Sequence, residues 1–281
     1  GGEALPYYKC GFGPDQYASF YGAEIIAKKG EYTTWVHPIA ESIYDLDCKL
    51  NPENKYLSLL EKSIKATAEF ANGRFLIPTL DFHSNLDTLS ALLGPEQLCF
   101  ELMDNPDIVI EKVNQITDDY PHIYDHLYYA ANMDKLGSIS WLPVYSEGKT
   151  AVVECDFSCM IGPDLARKVL YPSLEREIKY LTHSIYHLDG KNALCHVDFL
   201  LSVKELDCIQ WVPGDGDKRS PYWMELLTKI QKAGKSVWLY DWTMEEILNS
   251  TLNPSLTMYN LWLDSEDEAK RFLEKIEKKY K

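Results

Sequence analysis

The chain has 281 residues, 46% of them hydrophobic, with 43 acidic against 28 basic side chains and a formal net charge of −15. A surface this acidic argues against nucleic acid and against anionic membranes as partners, while the apolar content is enough for one large core. Seven cysteines without a CxxC read as reduced thiols; with no signal peptide and no apolar run of membrane-spanning length, a cytoplasmic location is expected.

Residues 1–73 read as an N-terminal excursion. Gly11-Phe12-Gly13-Pro14 is a turn, Gln16–Tyr21 a short helix, and Tyr32–Val36 a β-rich stretch that His37-Pro38 stops. Asn51-Pro52 opens a helix with Leu57, Leu60, Ile64, Ala68 and Ala71 on one face, and Asn72-Gly73 closes it. From 74 to 281 strand and helix alternate at least six times. Phe75–Leu80, Ile139–Leu142, Ala151–Cys155, Ser236–Tyr240 and Leu256–Leu263 are predicted strands, as are the apolar runs ending at His187-Leu188-Asp189 and at Gln210-Trp211-Val212. Pro106 opens a long helix to about Asn132. Pro163 opens another with Leu165, Val169, Leu174, Ile178 and Leu181 inward and a kink at Pro172. Thr243 with Glu246, and Ser265 with Glu268, form capping boxes, and the last helix buries Ala269, Phe272, Leu273 and Ile276.

Such alternation predicts a parallel sheet with helices outside. There is no GxGxxG after a strand and no phosphate loop, so a TIM-like (β/α)8 barrel, forming a single domain over 1–281, is expected rather than a Rossmann sheet. Eight strands make a full barrel and six or seven can be placed, so a barrel lacking its N-terminal portion is expected.

Ligands gather at the carboxyl ends of parallel strands. Those ends supply Asp81 and His83, Trp141 and Tyr145, Asp156, His187 and Asp189, Gln210 and Trp211, and Tyr240, Asp241 and Trp242. His187 and Asp189 are two apart on a strand and point the same way. An imidazole nitrogen with a carboxylate oxygen is an acceptable zinc donor pair that needs a third ligand, for which Asp241, His83 or Asp156 are candidates. The plainer alternative is a structural hydrogen bond from His187 to Asp189 or to backbone. Asp156 and Asp241 are candidate bases or polar contacts, and Asp156 is equally placed to cap the following helix. His83, Trp141, Tyr145, Gln210, Trp211 and Tyr240 are the candidate substrate contacts, with core packing the alternative for Trp211. Cys195 opens a helical segment, where a thiolate would be favoured and packing is the alternative. His122 and His126, four apart but without the Glu of HExxH, read as a solvated face. The 19 tyrosines and seven tryptophans suit either a pocket for a flat ligand or ordinary core packing.

The segments CDFSCMIGPDLARKVLYPSLEREIKYL and SIYHLDGKNALCHVDFLLSVKELDCIQWVPGDG resemble the uroporphyrinogen decarboxylase superfamily. They look like the branch found in anaerobes alongside corrinoid proteins and methyltransferases, and the resemblance runs over nearly the whole chain. It implies a TIM-like barrel and transfer of a methyl group between a small methylated compound or thiol and a corrinoid protein, the cobalamin being carried by that partner. Family members carry several tens more residues ahead of the point where this chain starts. Methyltransferase members bind zinc through His-x-Cys and a later cysteine. His187 matches the histidine, Asp189 stands in the cysteine position, and no cysteine follows Cys208. The resemblance therefore leaves a nitrogen/oxygen metal site at His187 and Asp189, or no metal. The second reading is a cofactor-free decarboxylase. The arginine-rich N-terminal motif of those enzymes is absent, and Arg74, Arg167 and Arg219 are scattered. The third is a non-catalytic binder of a small ligand.

Overall fold

The structure is a computed structural model that describes residues 4–28, 30, 33–51, 53–214 and 216–280. The chain packs as two compact units, one of Leu5–Ser184 and one of residues 185–280 with residue 4.

The unit Leu5–Ser184 is mainly helical. Strands β1 (Ile25–Ala27) and β2 (Thr34–Val36) form an antiparallel hairpin; Tyr32, in the predicted stretch, lies outside the described residues. Helix Lys55–Ala71 buries Leu57, Leu60, Ile64, Ala68 and Ala71, the five residues predicted to line its inner face. It starts later than predicted. Asn54 is the cap, its side chain accepting from the N–H groups of Tyr56 and Leu57, and Pro52 lies outside the described residues. Asn72 ends it in the left-handed conformation.

The predicted strand 75–80 is not one. Leu76 makes a single parallel bridge to Tyr7, and further on the Thr79 N–H reaches the Ile139 carbonyl. Pro78 between them has no N–H to donate, so no ladder propagates. Helices Asn85–Leu93, Pro95–Asp104 and Pro106–Ala130 follow, the last with Pro121 in its interior. The predicted strand 139–142 is instead one arm of a two-residue antiparallel pair, β3 (Ser138–Ile139) with β4 (Tyr145–Ser146), because Pro143 turns the chain back. Strand β5 (Thr150–Glu154) is buried along its length. The helix predicted from Pro163 is two, Pro163–Val169 and Tyr171–Tyr180, broken at Leu170 where Pro172 removes a donor. Many of the tyrosines form the core of this unit. Phe82 lies 5.9 Å from Tyr17 and 5.6 Å from Tyr120, and Tyr120 lies 6.0 Å from Tyr180, all near edge-to-face, worth about 0.5–1.5 kcal/mol per pair beyond burial.

In the unit 185–280, strands β6 (His183–Asp189), β7 (Cys208–Val212), β8 (Ser236–Leu239) and β9 (Thr257–Tyr259) pair in parallel, each beside the one before it. The register sets His187, Gln210, Trp238 and Met258 in one row. Thr243 and Glu246 form both hydrogen bonds of the predicted capping box. At the second box the Ser265 hydroxyl accepts from the Glu268 N–H, and the Glu268 carboxylate accepts from Asp264, one residue earlier than predicted. The last strand is three residues long, shorter than 256–263. The final helix, Glu266–Tyr280, buries Phe272 only; it packs along one narrow stripe on Met244–Asn249, which leaves Leu273 exposed and Ala269 and Ile276 half-buried. The fold is thus mixed α/β with parallel strands. The closed eight-stranded barrel expected from the alternation does not appear among the described residues, partly because 75–80 and 139–142 do not form parallel strands. None of the seven cysteines forms a disulfide, and no helix among the described residues is long and apolar enough to cross a membrane.

Candidate functional site

Two histidine sites stand out, one in each unit. In the unit 185–280, β6 ends at Asp189 and Gly190 takes φ +76°, a conformation that favours glycine. His187 and Asp189 share a side of the strand and offer ligand atoms within 4.8 Å of each other. Gln210, the register partner of His187 on β7, is buried, and its Oε1 lies 2.6 Å from His187 Nδ1. The amide oxygen therefore accepts the Nδ1 proton, so the lone pair sits on Nε2 and the ring is fixed in orientation.

The other residues predicted in this unit have different surroundings. Trp211 alternates to the opposite face from Gln210, is fully buried, and meets Trp223 edge-on at 5.2 Å. It is a core side chain, the alternative raised from sequence. Tyr240 lies just beyond β8, partly exposed, tilted against Trp238 at 5.9 Å. Asp241 holds the start of the segment Ser220–Trp223: Oδ2 accepts the Ser220 N–H at 2.7 Å and Oδ1 accepts its hydroxyl. Trp242 donates its indole N–H to the same hydroxyl. Cys195 does not carry a favoured thiolate. Its Sγ donates to the Asn192 carbonyl, and partial burial raises the thiol above its ordinary value.

In the unit Leu5–Ser184, His83 sits among carboxylates. Its Nδ1 is 3.0 Å from Asp87 Oδ2. Its Nε2 is 3.5 Å from Asp81 Oδ1 and 3.7 Å from Glu154 Oε2. Asp87 is itself anchored, accepting the N–H groups of Asp156 at 2.9 Å and Phe157 at 2.8 Å and so capping the turn Asp156–Met160. Glu154, the last residue of β5, is 1% exposed, and its Oε1 has no hydrogen-bond partner among the described residues. Burial alone would lower the His83 ring; the charge of Glu154, with Asp81 and Asp87, overrides it and holds the ring well above its ordinary value. Burial likewise holds the Glu154 carboxyl well above the carboxylate range. Behind this group the Glu177 carboxylate accepts the Ser84 hydroxyl at 2.7 Å and lies beside the Asn85 amide; burial pushes it up to about 8.

Of the predicted residues, His83 and Asp156 belong to this group. The Asp156 carboxylate is half exposed, 4.0 Å from His83 Nδ1, and its backbone rather than its side chain makes the capping bond to Asp87. Trp141 lies under the Lys9 ammonium, 5.6 Å from the ring centre, and the Tyr145 hydroxyl donates to the Leu136 carbonyl at 3.1 Å. His122 and His126 are exposed, and His126 pairs with Glu61 at 3.1 Å. Asp87, Glu154 and Glu177 were not anticipated. The four-residue spacing of His83 and Asp87 was the signal that could have revealed the first.

No family model matches this sequence, and no curated protein matches it. Among solved structures, a methyltransferase from Methanosarcina mazei is similar, with a TM-score of 0.65 over 98% of this chain and 81% of that one at 10% identity. At that identity the likeness is one of fold.

Proposed function

We propose that the chain is a methyltransferase that moves a methyl group between a small methylated compound or thiol and a corrinoid protein. The observation that carries this reading is the 2.6 Å bond from His187 Nδ1 to Gln210, which turns Nε2 into a donor beside Asp189 at the end of a parallel strand. The likeness in fold to a methyltransferase over nearly the whole chain supports it, and a TIM-like arrangement belongs to the same proposal.

His187 Nε2 and the Asp189 carboxylate are acceptable zinc donors, and they would hold the ion. Bound zinc would supply an acceptor thiol that loses its proton at neutral pH. Gln210 keeps the imidazole in the tautomer and orientation that this needs. The Asp189 carboxylate would offset part of the ion's charge, which would leave a bound thiolate more nucleophilic. Tyr240 lies one residue beyond β8, where a small substrate would be lined.

The test is methyl exchange between methylcobalamin and small thiols, with wild type beside His187→Ala. Exchange by the wild type that falls at least ~100-fold in the variant is expected, the scale of losing a positioned group at a reacting centre. A folded wild type that exchanges no methyl group with free methylcobalamin or a corrinoid protein overturns the proposal.

A further inference from the structure

We propose that Asp81, His83 and Glu154 form a second, separate site for a divalent transition-metal ion. Three observations on these residues converge. The first is spacing. His83 Nε2 is 3.5 Å from Asp81 Oδ1 and 3.7 Å from Glu154 Oε2, and the three ligand atoms lie within 4.8 Å of one another. Those separations are long for charge-assisted hydrogen bonds, which run at about 2.7–2.9 Å. They match donors sharing one ion, because ligands about 2.1 Å from a tetrahedral centre stand about 3.4 Å apart. The contact on the other ring nitrogen, 3.0 Å to Asp87, has ordinary hydrogen-bond length.

The second is orientation. Asp87 lies on Nδ1 and is held by two backbone N–H groups, so the ring is fixed with Nε2 facing Asp81 and Glu154, where a metal ion could take the place of its proton. A carboxylate behind a histidine in this way is the usual support of a metal-ligating imidazole. The third is an unmet need. Glu154 is 1% exposed, and its Oε1 has no hydrogen-bond partner among the described residues. Carboxyl groups packed around one ring are costly to ionise together without positive charge, and a cation supplies it.

The donor set selects the ion. One imidazole and two carboxylates without thiolate suit Mn²⁺, Fe²⁺, Co²⁺ or Zn²⁺, in preference to Cu⁺, which favours sulfur, and to Ca²⁺ or Mg²⁺, which favour all-oxygen shells. The Asp81 side chain is 29% exposed and gives the ion a way in. Three protein ligands would leave a coordination position open for a substrate oxygen or water. The site shares no residue with the His187 proposal, so either can fail alone.

The experiment uses the full chain stripped with a chelator and titrated with Zn²⁺ and with Mn²⁺ by calorimetry, with circular dichroism to check folding. One equivalent bound at low micromolar Kd or tighter in His187→Ala, and one equivalent fewer than wild type in His83→Gln and in Glu154→Gln, is the expected result. Asp87→Asn should weaken binding ~10–100-fold while leaving all three ligands present. If the ligand variants do not fold, pulsed electron paramagnetic resonance of Mn²⁺-loaded His187→Ala decides: coupling to an imidazole nitrogen is expected. Absence of that coupling, no uptake by the wild type, or uptake unchanged in folded His83→Gln would overturn the site. In that case a protonated His83 alone balances the carboxylates.

Discussion

His83 and His187 each have Nδ1 engaged by a side-chain oxygen. What differs is the charge on that partner. An ionisable carboxylate holds His83, with two more facing its other nitrogen, while a neutral amide holds His187. A neutral partner fixes a tautomer and leaves charge balance alone; a ring of buried carboxylates demands a cation, whether proton or metal. The same residue type is thus a compensating centre in one unit and an oriented donor in the other.

Removing each ring should break this symmetry. In metal-free protein, His83→Ala removes the ring that the buried carboxylates face and should cost about 3–5 kcal/mol of stability by urea denaturation, whereas loss of the His187 bond to a neutral amide should cost about 1 kcal/mol. Equal costs would show that the two environments do not differ as described. Glu177 sharpens the contrast by showing that its unit also keeps a carboxyl neutral. Its folded value, about 8, lies above the ordinary 4.5, so the folded form holds a proton that the unfolded chain releases earlier. That stabilisation is fully present below about pH 4.5 and is lost as pH rises through about 8, amounting to a few kcal/mol. Glu177→Gln should flatten the fall in urea midpoint between about pH 5 and pH 9; an unchanged slope would place the proton elsewhere. On the other side of the comparison, Gln210→Ala should reduce methyl exchange ~10–100-fold with the fold intact, as loss of a supporting partner does. Unaltered exchange would mean that the amide orients nothing of consequence. The smallest effect is expected at Asp241→Ala, about 1–2 kcal/mol in thermal or urea unfolding, for the loss of the bonds to Ser220.

Local rules carried much of the fold. The inner face of helix Lys55–Ala71, the capping box at Thr243 and the parallel strands around His187 and Gln210 follow from periodicity, side-chain chemistry and runs of apolar residues. The misses fall where backbone pairing depends on distant residues. An extended run such as 75–80 looks like a strand whether or not a neighbour accepts its N–H groups, and Pro78 withholds one. For the sites, strand alternation puts His187 and Asp189 on one side, whereas Gln210, read from sequence as a substrate contact, bonds His187 across the sheet, a pairing that only the register reveals. Glu154 was hidden inside an apolar strand, two residues ahead of the more conspicuous Asp156. Asp87 stands in a helix's first turn, where an acid is common, and Glu177 in the middle of a helix among charged neighbours. Their meaning comes from tertiary burial, which a residue's neighbours in sequence do not report.

Asp87 also acts as a mechanical joint. One carboxylate grips an imidazole on one side and two consecutive peptide N–H groups on the other. Rotation of the His83 ring and displacement of the turn Asp156–Met160 are therefore geared together: neither moves far without the other unless a hydrogen bond breaks. A molecule that pressed on the half-exposed Asp156 would be felt at His83 as a change of angle, with no rearrangement of the surrounding helices.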